Sequence, residues 1–116
     1  MRCVEVIECT VTDGAMPDFV NAVQQWERAA LRHPAAPGHH AVLFDEENPA
    51  RVTIITQFRD METADEFAAS GLLDRFMEGV LRCVEPSMSR RRYDLFYAAG
   101  GEGPRAIFGE TPRGDA

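Results

Sequence analysis

Few side chains in this protein can do acid–base chemistry, and two of them stand together: His39 and His40, directly after Pro37-Gly38. Imidazole titrates near neutral pH, so either could take a proton from a weak phenol or carbon acid. Neighbours on a strand point to opposite faces, so only one of the pair can serve a given site. His40 is taken as the first candidate base and His39 as its alternative. Glu5 is the second candidate, because it sits among the apolar residues Val4, Val6 and Ile7, and burial raises a carboxyl pKa toward the range useful for proton transfer. Arg59 and Tyr93 could hold a phenolate or carboxylate. Each has a competing structural duty: strand-end polarity for the histidines, a watered edge for Glu5, ion pairing or strand-end packing for Arg59 and Tyr93.

Much other chemistry is excluded. All 12 basic residues are arginine, which removes Schiff-base catalysis, a pyridoxal-phosphate lysine and a P-loop. Ser70, Ser87 and Ser89 belong to no G-x-S-x-G elbow. Cys3, Cys9 and Cys83 lack C-x-x-C spacing, so neither a disulfide framework nor a zinc site is suggested; Cys3 and Cys9 share one strand face and read as small buried hydrophobes. His33, His39 and His40 offer no spacing that puts two imidazoles on one face, so no metal is expected. A net charge of −7 argues against nucleic acid, whose phosphates need a basic face. No apolar run approaches the ~20 residues of a membrane span. The N-terminal M-R-C-V-E-V-I-E-C carries acids within its apolar stretch, so no secretory signal is expected and the cytoplasm is the default.

The elements that must position these groups follow from periodicity and punctuation. At 116 residues the protein reads as one domain over residues 1–99, followed by a polar tail over 100–116 whose only apolar pair is Ile107-Phe108. Cys3 to Val11 reads as a strand. Met16 to Arg32 reads as a helix, with Pro17 in its first turn and Phe19, Val20, Val23, Trp26, Ala30 and Leu31 on one face. A second strand after Pro37-Gly38 turns at Asp45-Glu46-Glu47-Asn48-Pro49 into a third, Val52 to Phe58. Asp60 or Thr63 caps a helical region from Thr63 to Val84, interrupted near Ser70-Gly71. Arg90-Arg91-Arg92 then leads into a last strand, Arg92 to Ala98, and reads as a solvated charge run at an edge. The order is β-α-β-β-α-β, the ferredoxin-like α+β plan: a four-stranded antiparallel sheet with helices on one face. Strand three is apolar on both faces, Val52, Ile54 and Phe58 on one and Ile55 on the other. Two copies stacked sheet to sheet would cover the second face, so a homodimer is expected.

The run from Pro37-Gly38 through Asn48-Pro49, Phe58-Arg59-Asp60 and Glu62-Thr63-Ala64 resembles the antibiotic biosynthesis monooxygenase family of dimeric α+β barrels. The resemblance spans about Val4 to Tyr97 and rests on short motifs. It implies a pocket between the helices and the sheet face they cover, and an apolar lining of Ile7, Trp26, Ile54, Phe58, Phe67, Phe76 and Met77. Some members oxygenate polycyclic aromatic polyketides with dioxygen and no metal, haem or flavin. Those oxygenases usually end strand three in Trp, where this sequence has Phe58, and carry an Asn where it has Ile54. Haem-degrading members place Asn, Trp and His where Ile7, Phe67 and Met77 stand, which argues against haem breakdown here.

The resemblance thus implies a cofactor-independent oxygenase acting on an aromatic, polyketide-derived small molecule in secondary metabolism, with dioxygen as co-substrate. Such chemistry asks for a base, a dry cavity and groups that orient an anion. Two alternatives share the fold: a polyketide cyclase or dehydratase, which needs the same cavity and base without oxygen, and a non-catalytic ligand-binding accessory dimer.

Overall fold

The computed structural model describes residues 2–96. The elements in order are β1 (Arg2–Thr10), α1 (Met16–Ala30), β2 (His39–Phe44), β3 (Arg51–Phe58), α2 (Met61–Ala69), α3 (Leu72–Leu81) and β4 (Ser89–Leu95). The strands pair antiparallel in the order β2-β3-β1-β4. This is the expected β-α-β-β-α-β plan, with the second helical region divided in two. The polar tail from residue 100, with Ile107-Phe108, and the end of the last strand beyond Phe96 lie outside the described residues.

Local chemistry explains the boundaries. Helix α1 starts with Pro in its first turn and Asp18 near its positive end, and buries Phe19, Val23, Trp26 and Ala30 along one stripe. Asp60 caps α2, accepting from the Thr63 backbone N–H at 2.7 Å and from its hydroxyl at 2.6 Å. Between α2 and α3, Gly71 takes φ +83°, a left-handed conformation that breaks the helix where Ser70-Gly71 suggested. The β2–β3 turn is pinned by Asp45 Oδ1, which accepts from the N–H groups of Glu47 (2.8 Å) and Asn48 (3.1 Å). That turn sets the pairing Phe44↔Val52 and, further along, His40↔Thr56.

Two expectations need correction. Strand β4 begins at Ser89, not Arg92, so the three arginines lie inside it. Ser89 opens the strand by pairing with Glu8, and Arg92 pairs with Glu5. Arg92 and Arg90 reach the Glu5 carboxylate, while Arg90 and Arg91 stay exposed on this edge strand, as a solvated run would be. The second helical region ends at Leu81, not Val84; Val84 instead bridges to Val11.

The helices cover the sheet face that carries Cys3, Ile7, Cys9, Val52, Ile54 and Phe58, and against it they bury Phe19, Val23, Trp26, Phe67, Phe76 and Val80. Each large side chain enclosed here contributes roughly 1.5–3 kcal/mol. The opposite sheet face carries Val4, Val6, Ala41, Leu43, Ile55 and Tyr93.

Candidate active site

The strand register lines up four polar side chains on the helix-covered face. His40 of β2 lies beside Thr56 of β3, Thr56 beside Glu5 of β1, and Glu5 beside Arg92 of β4. The flanking row, Val42–Ile54–Ile7–Arg90, is apolar until its last member. A polar row beneath helices is costly unless partnered, and most of it is partnered.

At one end, Arg92 donates from Nε to Glu5 Oε2 at 2.7 Å and from Nη1 to Asp65 Oδ1 of α2 at 2.6 Å. Arg90 Nη2 stands 3.5 Å from the same Glu5 oxygen. Glu5 is 3% exposed, so it is buried as its sequence surroundings suggested, and its carboxylate is shared between two guanidiniums. A carboxylate so engaged through Oε2 anchors β4 and, by way of Arg92 and Asp65, α2.

At the other end, His40 Nδ1 is 3.2 Å from Thr56 Oγ1. Its Nε2 is buried without a hydrogen-bond partner among the described residues, 3.4 Å from Glu27 Oε1 of α1. Burial lowers the His40 pKa from its ordinary 6.5, and the Glu27 carboxylate only partly opposes it. The neutral imidazole is therefore the form this environment favours. The Trp26 indole lies over it, ring centroids 4.5 Å apart, and continues to Phe76 at 4.9 Å and Phe67 at 5.9 Å. Trp26 is 5% exposed, yet its Nε1–H also lacks an acceptor among the described residues. An indole N–H and an imidazole nitrogen, the latter donor or acceptor according to its tautomer, thus sit unmatched on neighbouring rings, and buried groups of this kind are rarely left so without a reason.

Both rings border cavities. One of about 340 Å³ is lined by Trp26, Glu27, Ala30, Leu31, Pro37, Gly38, His39 and His40. It opens at the β2 edge, under the C-terminal half of α1. A second of about 220 Å³ lies between α1 and α3, with Trp26 and Phe76 in its wall. A third, about 450 Å³, is a polar hollow at the far end of β2 and β3, around Glu8, Arg51 and Thr53. It holds none of the candidate residues.

The other candidates fall in distinct places. Ile7, Ile54, Phe58 and Phe67 are packed in the closed core, at 0–4% exposure, with the Phe58 and Phe67 rings 5.6 Å apart. The space between helices and sheet that the resemblance assigned to a pocket is filled by these side chains, so the opening lies at the sheet edge. Met77 is half-buried against that core. Arg59 is on the surface, its Nη2 donating to Thr63 Oγ1 at 3.2 Å. Tyr93 pairs with Val4 on the opposite sheet face and is 48% exposed. His39, one residue from His40, likewise takes the opposite face. Of the candidates, Trp26, Phe76, His40 and His39 line these cavities, with His40 alone of the two histidines on the helix-covered face. Thr56 and Glu27 were missed. Thr56 was detectable from the alternation of strand three, whereas Glu27 has no signal until α1 is docked over β2. The cysteines are buried; burial raises Cys3 and Cys83 and pushes Cys9 up to about 11, which leaves thiols rather than nucleophilic thiolates.

Among the described residues no group of three or more His, Cys, Asp or Glu side chains is arranged to hold a metal ion, and no helix is long and apolar enough to cross a membrane.

Solved structures share this architecture. SnoaB, a cofactor-independent oxygenase from Streptomyces nogalater, superposes with a TM-score of 0.68 at 14% identity, over 80% of this protein and 91% of that one. A proposed antibiotic biosynthesis monooxygenase from Bordetella bronchiseptica gives 0.67 at 18% identity, over 80% and 95%. A conserved protein from Methanosarcina mazei Go1 gives 0.72 at 16% identity, over 80% and 91%. No protein-family model matches the sequence, and neither does any curated protein. The fold is thus that of the antibiotic biosynthesis monooxygenases. At such identities the likeness establishes the fold, and the site has to speak for the reaction.

Proposed function

We propose that this protein is a cofactor-independent oxygenase of a hydroxylated aromatic small molecule, polyketide-derived and belonging to secondary metabolism, working in the cytoplasm as a homodimer. The observation that carries the reading is the Trp26–His40 pair: a buried indole N–H and a buried imidazole nitrogen, both without a hydrogen-bond partner among the described residues, on rings tilted at 45° beside a cavity of about 340 Å³. That volume lies within the range of small-molecule sites, about 300–1,000 Å³. A phenol or enol hydroxyl supplies what both lack, since its oxygen accepts and its proton is donated. In the tautomer whose Nδ1–H donates to Thr56, Nε2 is the free base. Oxygenases of this fold usually carry their indole on strand three; here α1 supplies one.

The reaction balances without a cofactor. His40 removes the acidic proton of an anthrone-type substrate, leaving a delocalised anion. The anion passes one electron to dioxygen, and the radical pair combines into a carbon-bound hydroperoxide. Loss of water then leaves a carbonyl, so that one CH₂ and one O₂ become one C=O and one H₂O. The protein supplies base, orientation and exclusion of water. SnoaB, of the same fold, is a cofactor-independent oxygenase by name, which supports the reading.

The test is dioxygen uptake by chelator-treated protein with an anthrone-type phenol, against a no-enzyme blank. Uptake matched by quinone formation is expected, and His40→Ala should abolish the catalysed part. Saturable binding without uptake would transfer the site to an enolising cyclase or a binding protein.

A further inference from the structure

We infer that Glu27 is a positioning residue for His40: from α1 it holds the imidazolium formed at Nε2 and carries the abstracted proton out to water, which returns a proton to the peroxide before water is lost. The inference rests on His40 being the base, as proposed above. Glu27 Oε1 stands 3.4 Å from His40 Nε2. The two ends of the pair differ sharply in exposure, since the His40 side chain is 12% exposed and that of Glu27 45%. A proton captured at the buried end thus has a carboxylate beside it whose other side meets solvent.

Among the described residues no competing group does this. Around His40, α1 presents Trp26 and Glu27, and β3 presents Thr56, a neutral hydroxyl on Nδ1. Beyond Thr56 the next carboxylate in the row, Glu5, is tied to Arg90 and Arg92. His39 takes the opposite sheet face. His33, in the α1–β2 connection, accepts from the Ala35 N–H and lies edge-on to Phe67. Glu27 is therefore the one carboxylate among the described residues that faces the imidazole. In the tautomer with Nδ1–H on Thr56, its charge lies near an imidazole lone pair before proton transfer, which is mildly unfavourable. After transfer the same charge faces a cation. The contact gains strength as the proton arrives, which is what a residue assisting proton transfer must do.

The experiment is a titration of the histidine ring resonances by NMR, in the wild type and in Glu27→Gln. The chain has only three histidines, and His40→Ala identifies the signal. In Glu27→Gln the His40 midpoint should fall by about half a pH unit, the scale of a partly exposed ion pair. The midpoints of His33 and His39 should not move. In the oxygen-uptake assay the same variant should lose roughly fivefold in kcat with KM unchanged, and Glu27→Asp should recover part of it. An unmoved His40 midpoint overturns the inference whatever the activity. A moved midpoint with kcat intact overturns the proton-outlet role. If the wild type takes up no oxygen while the midpoint moves, the oxygenase reading fails and the Glu27–His40 coupling stands.

Discussion

At the scale of single residues, the site turns on protonation and on one N–H. Burial lowers the His40 pKa below 6.5, so the base stays free of protons further into acid than an ordinary histidine. The acid limb of the kcat/KM profile should have its midpoint below 6.5, and a midpoint above that value would remove His40 from the mechanism. Stability follows the same sign: the neutral ring is accommodated above the unfolded value, and stability falls as pH drops through 6.5 toward the depressed folded value, because the unfolded chain binds the proton first. Trp26→Phe keeps an aromatic wall but deletes the Nε1–H. Phenol binding measured by calorimetry should weaken about tenfold, the scale of one hydrogen bond to a buried group, with the melting temperature little changed. Undiminished affinity would show that the indole N–H does not read the ligand. The choice of His40 over His39 was not legible in the sequence. Alternation shows that the two point apart, but only the Asp45-pinned hairpin, with His40 opposite Thr56, decides which points in.

Elements were more readable than their ends. The six-part order, a cap at Asp60 or Thr63 and the break at Ser70-Gly71 came from punctuation and periodicity, because these are local effects of cap geometry and backbone freedom. The start of β4 was not readable, because it depends on pairing with β1, far away in sequence: Ser89 opposes Glu8, and Arg92 meets Glu5, while Arg90 and Arg91 stay exposed. Two predictions belong at this scale. Gly71 has φ +83° and open space where a Cβ would stand, so Gly71→Ala should cost about 1–2 kcal/mol by conformation alone, without a clash. Chemical denaturation checks it, and an unchanged midpoint would mean the α2–α3 joint relaxes freely. Glu5→Ala leaves Arg92 and Arg90 turned inward with no shared carboxylate. The loss should be about 2–3 kcal/mol, below the full value for a buried pair because Arg92 is 29% exposed and keeps Asp65. If Glu5→Ala were as stable as the wild type and lost activity, the carboxylate would belong to catalysis after all.

At the scale of the whole molecule, the two faces of the sheet have different tasks. One is sealed by helices and carries the His40 row; the other puts Ala41, Ile55 and Val6 in one cross-strand row, with Val4 alongside and Arg91 at its edge. The alternation of strand three already implied this second apolar face, since period two sends Ile54 and Ile55 to opposite sides. A sheet presenting such a row is best covered by another sheet, and a two-fold axis would stack a second copy's row on it. The protein should therefore elute at twice its monomer mass of 12.9 kDa. Ile55→Asp places a charge in the middle of the row, where only a partner must desolvate it, so it should shift elution to the monomer. The His40 ring lies on the other face, and its titration reports whether the fold survives the change. A monomeric Ile55→Asp with an unaltered His40 midpoint separates assembly from folding. A wild type that elutes as a monomer would mean that the open face is covered within one chain, and the pairing of sheets would have to be abandoned.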